Sequence, residues 1–529
     1  MNESSSSARP HLPLARAAAG VLLGLTQGFG LYLVSNNLSG IQGSLGATAA
    51  EASWLSTAYF ASALWATLLV TKVRLHFGLR VFAMASLWLF LVVCALHLAA
   101  DSLGSALAVR AALGLAAAPL STLAIYYLME ALPQRLAPVA LLLGFACLQV
   151  PGPLSRVISP ELLELGRWHG LFVLDVALAL LSLAAIHAVP LTPQPRQPAF
   201  NRGDLLAFPL YAVGLGLLCV VISQGRLAWW TDAPWLGQCL AASIVFMSLY
   251  ALVDLNRVNP LVDLRWLASP YMVRFIIAVL LFRVVLSEQT VGVVGLMTVL
   301  GQSNEQMRGL FGFVSVGLLA GFLLAIVIAA KRGASPLAVL AGLMVLAAAL
   351  MDSDATAVSR PEQFYASQTL LAVGLGLFFS ASLLMGFGPV LQEGSRHLVT
   401  FLAAFSGAQV LGSLLGSAWV ATAVAERQTW HYAALAQHLP IGDPQVALRI
   451  AQLGGSVARV VGDPAARALQ GLSLLQQQVT RESFVLAYND VFLSTAVLAA
   501  AMALWLAVLA WRGRRAAAPA AVAPAAASS

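Results

Sequence analysis

Charged side chains fall inside long apolar stretches of this sequence, and those singled out are Arg110, Arg156, Asp175, Arg274, Arg283 and Glu288. A charge in hydrocarbon is costly, so each must meet a partner, reach the headgroups or face water, and each is a functional hint by default. Glu288 is the residue best suited to carry a proton. Burial disfavours a carboxylate and a nearby cation favours it, so an acid alternating between an arginine and a proton can couple one movement to another. Arg110 is expected to tune that acid, and Asp175 is a second candidate. Arg283 could hold an anionic group of a substrate. Arg274 lies near the end of its stretch and can snorkel, while Arg156 is expected to pair with Glu161 or Glu164.

Depth supports this choice. Counting from Tyr271, Arg283 lies about 18 Å and Glu288 about 25 Å along their helix. Five residues of helix set them about 140° apart, so each is expected to find its partner on another helix. Arg110, about 9 Å from the outer end of its own stretch, lies near the depth of Glu288.

The elements that must hold these residues follow from composition. Of 529 residues, 60% are hydrophobic and 10% charged, and the mean hydropathy is +0.85. Soluble chains carry about 25% charged residues. A soluble enzyme, a nucleic-acid binder and a disordered chain are thereby excluded. Runs of about 20 apolar residues can cross a bilayer, and fourteen occur: 14–36, 52–71, 80–100, 104–129, 136–158, 168–189, 205–224, 235–254, 271–300, 306–330, 335–351, 365–391, 398–424 and 484–511. Sixteen basic residues fall in the termini and connections assigned inside, against four (Arg167, Arg226, Arg308 and Arg360) in short outside loops. That bias puts both termini in the cytoplasm and makes the net charge of +7 a topology device rather than a ligand site.

The four cysteines, Cys94, Cys147, Cys219 and Cys239, lie in apolar runs without metal-ligand spacing and read as buried hydrophobes; no metal or cofactor motif is present. Trp229, Trp230 and Trp235 crowd one outside turn, as an interfacial belt would. The expected organisation is a cytoplasmic tail (1–13), a six-helix bundle (14–189), a Pro-rich cytoplasmic linker (190–204), two extra helices (205–254), a second six-helix bundle (255–511) and a disordered cytoplasmic tail (512–529). Within the second bundle, residues 425–483 form a long outside segment that reads as a helical hairpin, serving either as a cap or as a docking surface. Pro151, Gly152 and Pro153 are expected to kink the fifth span. Gly412 and Gly416 give the thirteenth a small face for close helix contact.

Several motifs resemble one family. Asn259-Pro260-Leu261-Val262-Asp263-Leu264 is similar to a signature that precedes the ninth span of the fourteen-span drug:proton antiporters (EmrB-like exporters) of the major facilitator superfamily. Arg110 with Gly114 resembles the fourth-span R-x-x-x-G pattern, and Gly152-Pro153 the fifth-span antiporter motif. Gly166-Arg167-Trp168 with Phe172 and Asp175 looks like the stretch opening span 6. Lys72–Arg80 is a degraded form of the loop between spans 2 and 3, and Asn489–Phe492 resembles the start of the last span. The chain departs from the pattern at Gly30, where the family has an acid, and at Ser155-Arg156, where it has glycines. It reads as a divergent member in which Glu288 or Asp175 takes over the proton.

The resemblance implies an all-α polytopic fold of two six-helix bundles plus two extra helices. It also implies a cavity near Asn36, Arg110, Tyr126, Arg283, Glu288 and Gln368. The implied activity is export of small amphipathic or aromatic compounds across the inner membrane by proton antiport, with a periplasmic adaptor and an outer-membrane channel as partners. Proton-coupled uptake or exchange of an organic anion is the alternative within that class. Outside it, a scaffold or sensor could work through 425–483, whereas no loop carries the compact constellation a membrane enzyme would need.

Overall fold

The computed structural model describes residues 12–517 except 167, 197, 258, 394–396 and 441. The motif residue Arg167 and the expected tails at 1–11 and 518–529 therefore lie outside the described residues. In lipid every backbone group must be satisfied within the chain, which leaves helices as the means of crossing for sequences like these. Fourteen helices among the described residues are long and apolar enough to span. Spans 1 to 6 are Leu12–Ser35, Ala49–Phe77, Leu79–His97, Leu103–Ala131, Gln134–Glu164 and His169–Ala188. Spans 7 and 8 are Asp204–Gln224 and Pro234–Leu255. Spans 9 to 14 are Pro270–Val299, Arg308–Arg332, Ser335–Asp352, Pro361–Gly388, Val399–Gln437 and Pro464–Arg512.

Local signals start and stop them. Thr48 and Glu51 form a capping box at the head of span 2, and Ser102 with Ser105 does the same for span 4. Gly78 (φ 85°) ends span 2 in a conformation that costs glycine little and other residues much.

Spans 1 to 6 pack among themselves around span 4, and spans 9 to 14 around the pairs 10 with 12, 11 with 14 and 9 with 13. One apolar core, built on Leu113, Leu120 and Phe90, lies within the first half; the other, built on Phe282, Phe379 and Phe401, also takes in Leu141, Leu142 and Ala146 of span 5. The halves meet where span 5 packs on spans 10 and 12, and where span 2 packs on span 13. Spans 7 and 8 pair with each other, and span 7 lies against spans 2 and 13. Side chains such as Leu205, Leu181, Val316 and Leu504 stay exposed, as a lipid-facing surface requires.

Several features bear on the sequence reading, each with a local cause. Span 9 is not one continuous α-helix: it widens into a π-helical stretch at Glu288–Val293 before resuming at Val294. Span 5 does break, at Val150 before Pro151, because Pro151 and Pro153 lack backbone donors. The outside segment is built from prolongations of two spans. Span 13 runs unbroken to Gln437, and one helix from Pro464 to Ala517 includes both the outside arm and span 14. The short helix Pro444–Ser456 packs on that arm through Gly454 and Gly471, where an added Cβ would strike the Arg467 and Ile450 carbonyls. Residues 512–517, expected as a disordered tail, are the end of the same helix.

Candidate functional site: charged groups within the bundle

In the first half, Arg110 is fully buried on span 4. Its Nη1 donates to the Gly30 carbonyl at 2.9 Å, Nε to the Leu55 carbonyl at 3.4 Å and Nη2 to the Leu31 carbonyl at 3.5 Å. The guanidinium also lies 4.7 Å from the centroid of the Tyr59 ring. Carbonyl dipoles and a ring face thus receive a cation that would otherwise need a carboxylate. One of those carbonyls belongs to Gly30, where the sequence departs from the antiporter pattern it resembles. Gly114, one turn on, lets span 4 approach span 2, since a Cβ there would collide with Ser62 and the Tyr59 carbonyl. Asp175 on span 6 is buried within the electrostatic reach of Arg110, yet neither of its oxygens has a donor among the described residues. His97 stacks on Phe172 at 4.1 Å and likewise leaves Nε2 without a partner.

The second half holds a different acid centre. Glu288 opens the π-helical stretch, fully buried, and its carboxyl comes within hydrogen-bonding reach of Asp352 at the end of span 11. Asp352 accepts from Gln368 Nε2 at 2.6 Å. Gln289 Nε2 in turn donates to the Gln368 carbonyl at 3.1 Å. Neither Glu288 oxygen meets a donor among the described residues. Two carboxyls in contact make a hydrogen bond only if one of them is protonated. The expected pairing of Glu288 with Arg110 does not occur, because the two lie in different halves and each has other neighbours. Gln368 supports Asp352 rather than standing alone.

Arg283 of the second half lies within electrostatic reach of Tyr32 of span 1. Its Nε reaches the Gln409 carbonyl at 3.4 Å and its guanidinium lies 5.9 Å from the centroid of Phe379. Tyr32 donates to Gln149 Oε1 at 3.1 Å. Gly412 and Gly416 place span 13 directly against span 9: a Cβ on Gly412 would lie 2.7 Å from that of Arg283, and one on Gly416 would strike Ser287. A Cβ on Gly152 would lie 3.5 Å from the Tyr32 ring, an ordinary contact.

Asn36 lies just past the C-terminal end of span 1. Its Nδ2 donates to the Gly152 carbonyl at 2.8 Å and to Ser155 Oγ at 2.7 Å. Asn304, before span 10, donates to Asn37 Oδ1 at 2.9 Å and accepts from Arg156 Nη1 at 3.0 Å, tying the two halves together. Arg156 therefore does not pair with Glu161, which instead forms an ion pair with Arg308. Tyr126 sits near the opposite end of span 4, beneath the Arg74 guanidinium, which also donates to its hydroxyl.

The Asn259–Leu264 motif acquires a structural account. Asp254 accepts from the Leu261 and Val262 amides at 2.9 and 3.1 Å and from the Tyr250 hydroxyl at 2.9 Å. Arg257 bridges Asp254 to Asp204, which Lys72 also contacts, so one charge cluster joins spans 2, 7 and 8 to the loop leading into span 9. Trp230 donates to Thr422 at 2.9 Å, fastening the tryptophan-rich turn to span 13.

Asp352, Asn304 and Asp254 escape a sequence reading because each lies at the edge of an apolar run, where a polar residue reads as a boundary. Gln409 and Tyr32 escape it because uncharged polar residues inside a span carry little signal.

Two helical halves that meet at polar side chains, with charges buried in each, have the architecture of a polytopic membrane protein. Residues 20–416 match the family described as Major Facilitator Superfamily, and the chain belongs to that superfamily. Solved structures of similar fold include tetrameric PepTSo2 (12% identity, 95% of this chain and 99% of that one covered, TM-score 0.57). The human organic anion transporter MFSD10 (TETRAN) is another (14%, 92% and 99%, TM-score 0.52). So is the xylose transporter XylE from E. coli, in a partially occluded inward-open conformation (14%, 78% and 91%, TM-score 0.50). At these identities the likeness is one of fold. No curated protein matches the sequence.

Proposed function

We propose that this transporter exports small amphipathic or aromatic compounds across the inner membrane in exchange for protons, with both termini cytoplasmic. The observation that carries the reading is that Glu288, Asp352 and Asp175 are buried within the bundle, and no ion pair joins them to a lysine or arginine among the described residues. A buried anion without a cation resists being moved through a closed, dry state. Adding a proton to the Glu288–Asp352 pair removes one charge, so the protonated half can rock where the ionised half cannot. Substrate leaving outward and proton entering inward then use the same movement in opposite directions. Glu288 is the acid that carries the proton, and Asp175 beside Arg110 is the second candidate.

The outside arm, continuous with spans 13 and 14, supports a docking role towards a periplasmic adaptor and, through it, an outer-membrane channel. The test of the central claim is transport in inverted vesicles. Acid-interior vesicles accumulate substrate if the protein exports, and Glu288→Gln abolishes that accumulation at unchanged protein level. Unaltered pH-driven transport by the variant would remove Glu288 from the mechanism.

A further inference from the structure

Arg283 differs from the other arginines held among the helices. Arg110 is met by three carbonyls and a ring, Arg156 by Asn304 and Asn36, and Arg257 by two aspartates. Arg283 has one long contact, to the Gln409 carbonyl, and its two terminal nitrogens have no acceptor among the described residues. Gln409, on the facing turn of span 13, is 8% exposed, and both atoms of its amide lack a partner among the described residues. An unsatisfied buried amide beside a half-buried cation, where the halves meet, forms half of a recognition site.

The surroundings specify the other half. The Phe379 ring beneath Arg283 lies 6.2 Å from Phe145 of span 5 and 6.1 Å from Phe405 of span 13. Phe145 and Phe405 meet edge to face at 5.7 Å, so the aromatic group bridges both halves. Within electrostatic reach of Arg283 lies Tyr32, which donates to Gln149, both polar and uncharged. No acid is paired with Arg283 among the described residues, which disfavours a cationic cargo. A neutral cargo would leave the guanidinium unmatched.

We infer that Arg283 is the receptor for the acid group of an aromatic carboxylate, whose ring packs among Phe379, Phe145 and Phe405 while Gln409 donates to the same carboxylate. This deepens the proposed export function by naming its substrate class and rests on that reading for direction only. Binding itself does not depend on it.

The test uses the full-length protein in detergent and calorimetric titration with benzoate, cinnamate and 2-naphthoate, each beside its neutral amide. At least one carboxylate is expected to bind well ahead of its amide. Arg283→Gln should weaken that binding ~10–100-fold, as loss of a charge-assisted contact does. Arg283→Lys should recover part of it, without the two-pronged geometry of arginine. Gln409→Leu, which leaves Arg283 in place, is expected to reduce the preference for acid over amide and decides the matter if Arg283→Gln does not fold. Binding of no carboxylate, equal binding of acid and amide, or full affinity in a folded Arg283→Gln protein each overturns the inference. Proteoliposome transport separates the two readings. Carboxylate binding with transport indifferent to a pH gradient sinks proton coupling alone, and pH-driven transport of neutral or cationic compounds without carboxylate binding sinks the substrate assignment alone.

Discussion

Asn304 of the second half donates to Asn37 of the first at 2.9 Å. With Arg156 on its own side-chain oxygen, it forms a polar seam across the adjoining ends of spans 1, 5 and 10.

That seam must part when this side of the bundle opens. Cysteines placed at 37 and 304, in a protein whose four native cysteines are replaced, are expected to cross-link under oxidation and to stop transport, with reductant restoring it. Transport that continues at full rate through the cross-linked protein would show that these ends do not separate.

The carboxyl pair predicts an asymmetry between binding and coupling. Asp352→Asn leaves Gln368 a neutral acceptor, so the folded structure should persist. Proton-driven accumulation should fall at least ~10-fold, the size expected when a group acting in proton transfer is lost. Substrate exchange at equal pH, which needs no net proton movement, should remain. Equal loss of both activities would point to a packing defect instead.

The small face of span 13 gives a stability prediction. Gly416→Val drives a side chain into Ser287 and the Val284 backbone. A cost of about 1–3 kcal/mol is expected, seen as a fall of several degrees in Tm. Gly407→Ala, where a Cβ meets nothing within 4 Å, should leave Tm unchanged.

Asp254 anchors the loop before span 9 through two amides, a hydroxyl and Arg257. Asp254→Ala strands those donors and uncovers Arg257 against Asp204. The expected loss is about 3–5 kcal/mol, with thermal unfolding as the measure. Asn256→Ala, on the exposed side of the same helix end, serves as the comparison.

Replacing residues 438–480 by a short turn addresses the outside arm. Transport by the purified protein should survive, and export from cells should fail if the segment serves a partner. Survival of both would leave it as a cap.

The fold was legible because bilayer thickness imposes one dominant rule, runs of about 20 apolar residues, and the sequence obeys it fourteen times. The superfamily could be read from local motifs such as Arg110 with Gly114, whose spacing reflects a tight crossing of spans 2 and 4. Partnership was not legible. Depth along a helix places Arg110 and Glu288 at similar levels but says nothing of which half or which face each occupies. Asp352 joined Glu288 because span 11 ends beside a widened turn of span 9, and such a turn leaves no mark in hydropathy. The kink at Val150 could be foreseen because proline removes a donor wherever it stands.

Because one helix runs from Pro464 through span 14 without a joint, the arm before Phe484 moves with that span. Its twenty residues before Phe484 make a lever about 30 Å long. A tilt of the second half by about 10° would sweep the far tip through about 5 Å. Anything gripping that tip would feel each turnover as a mechanical stroke.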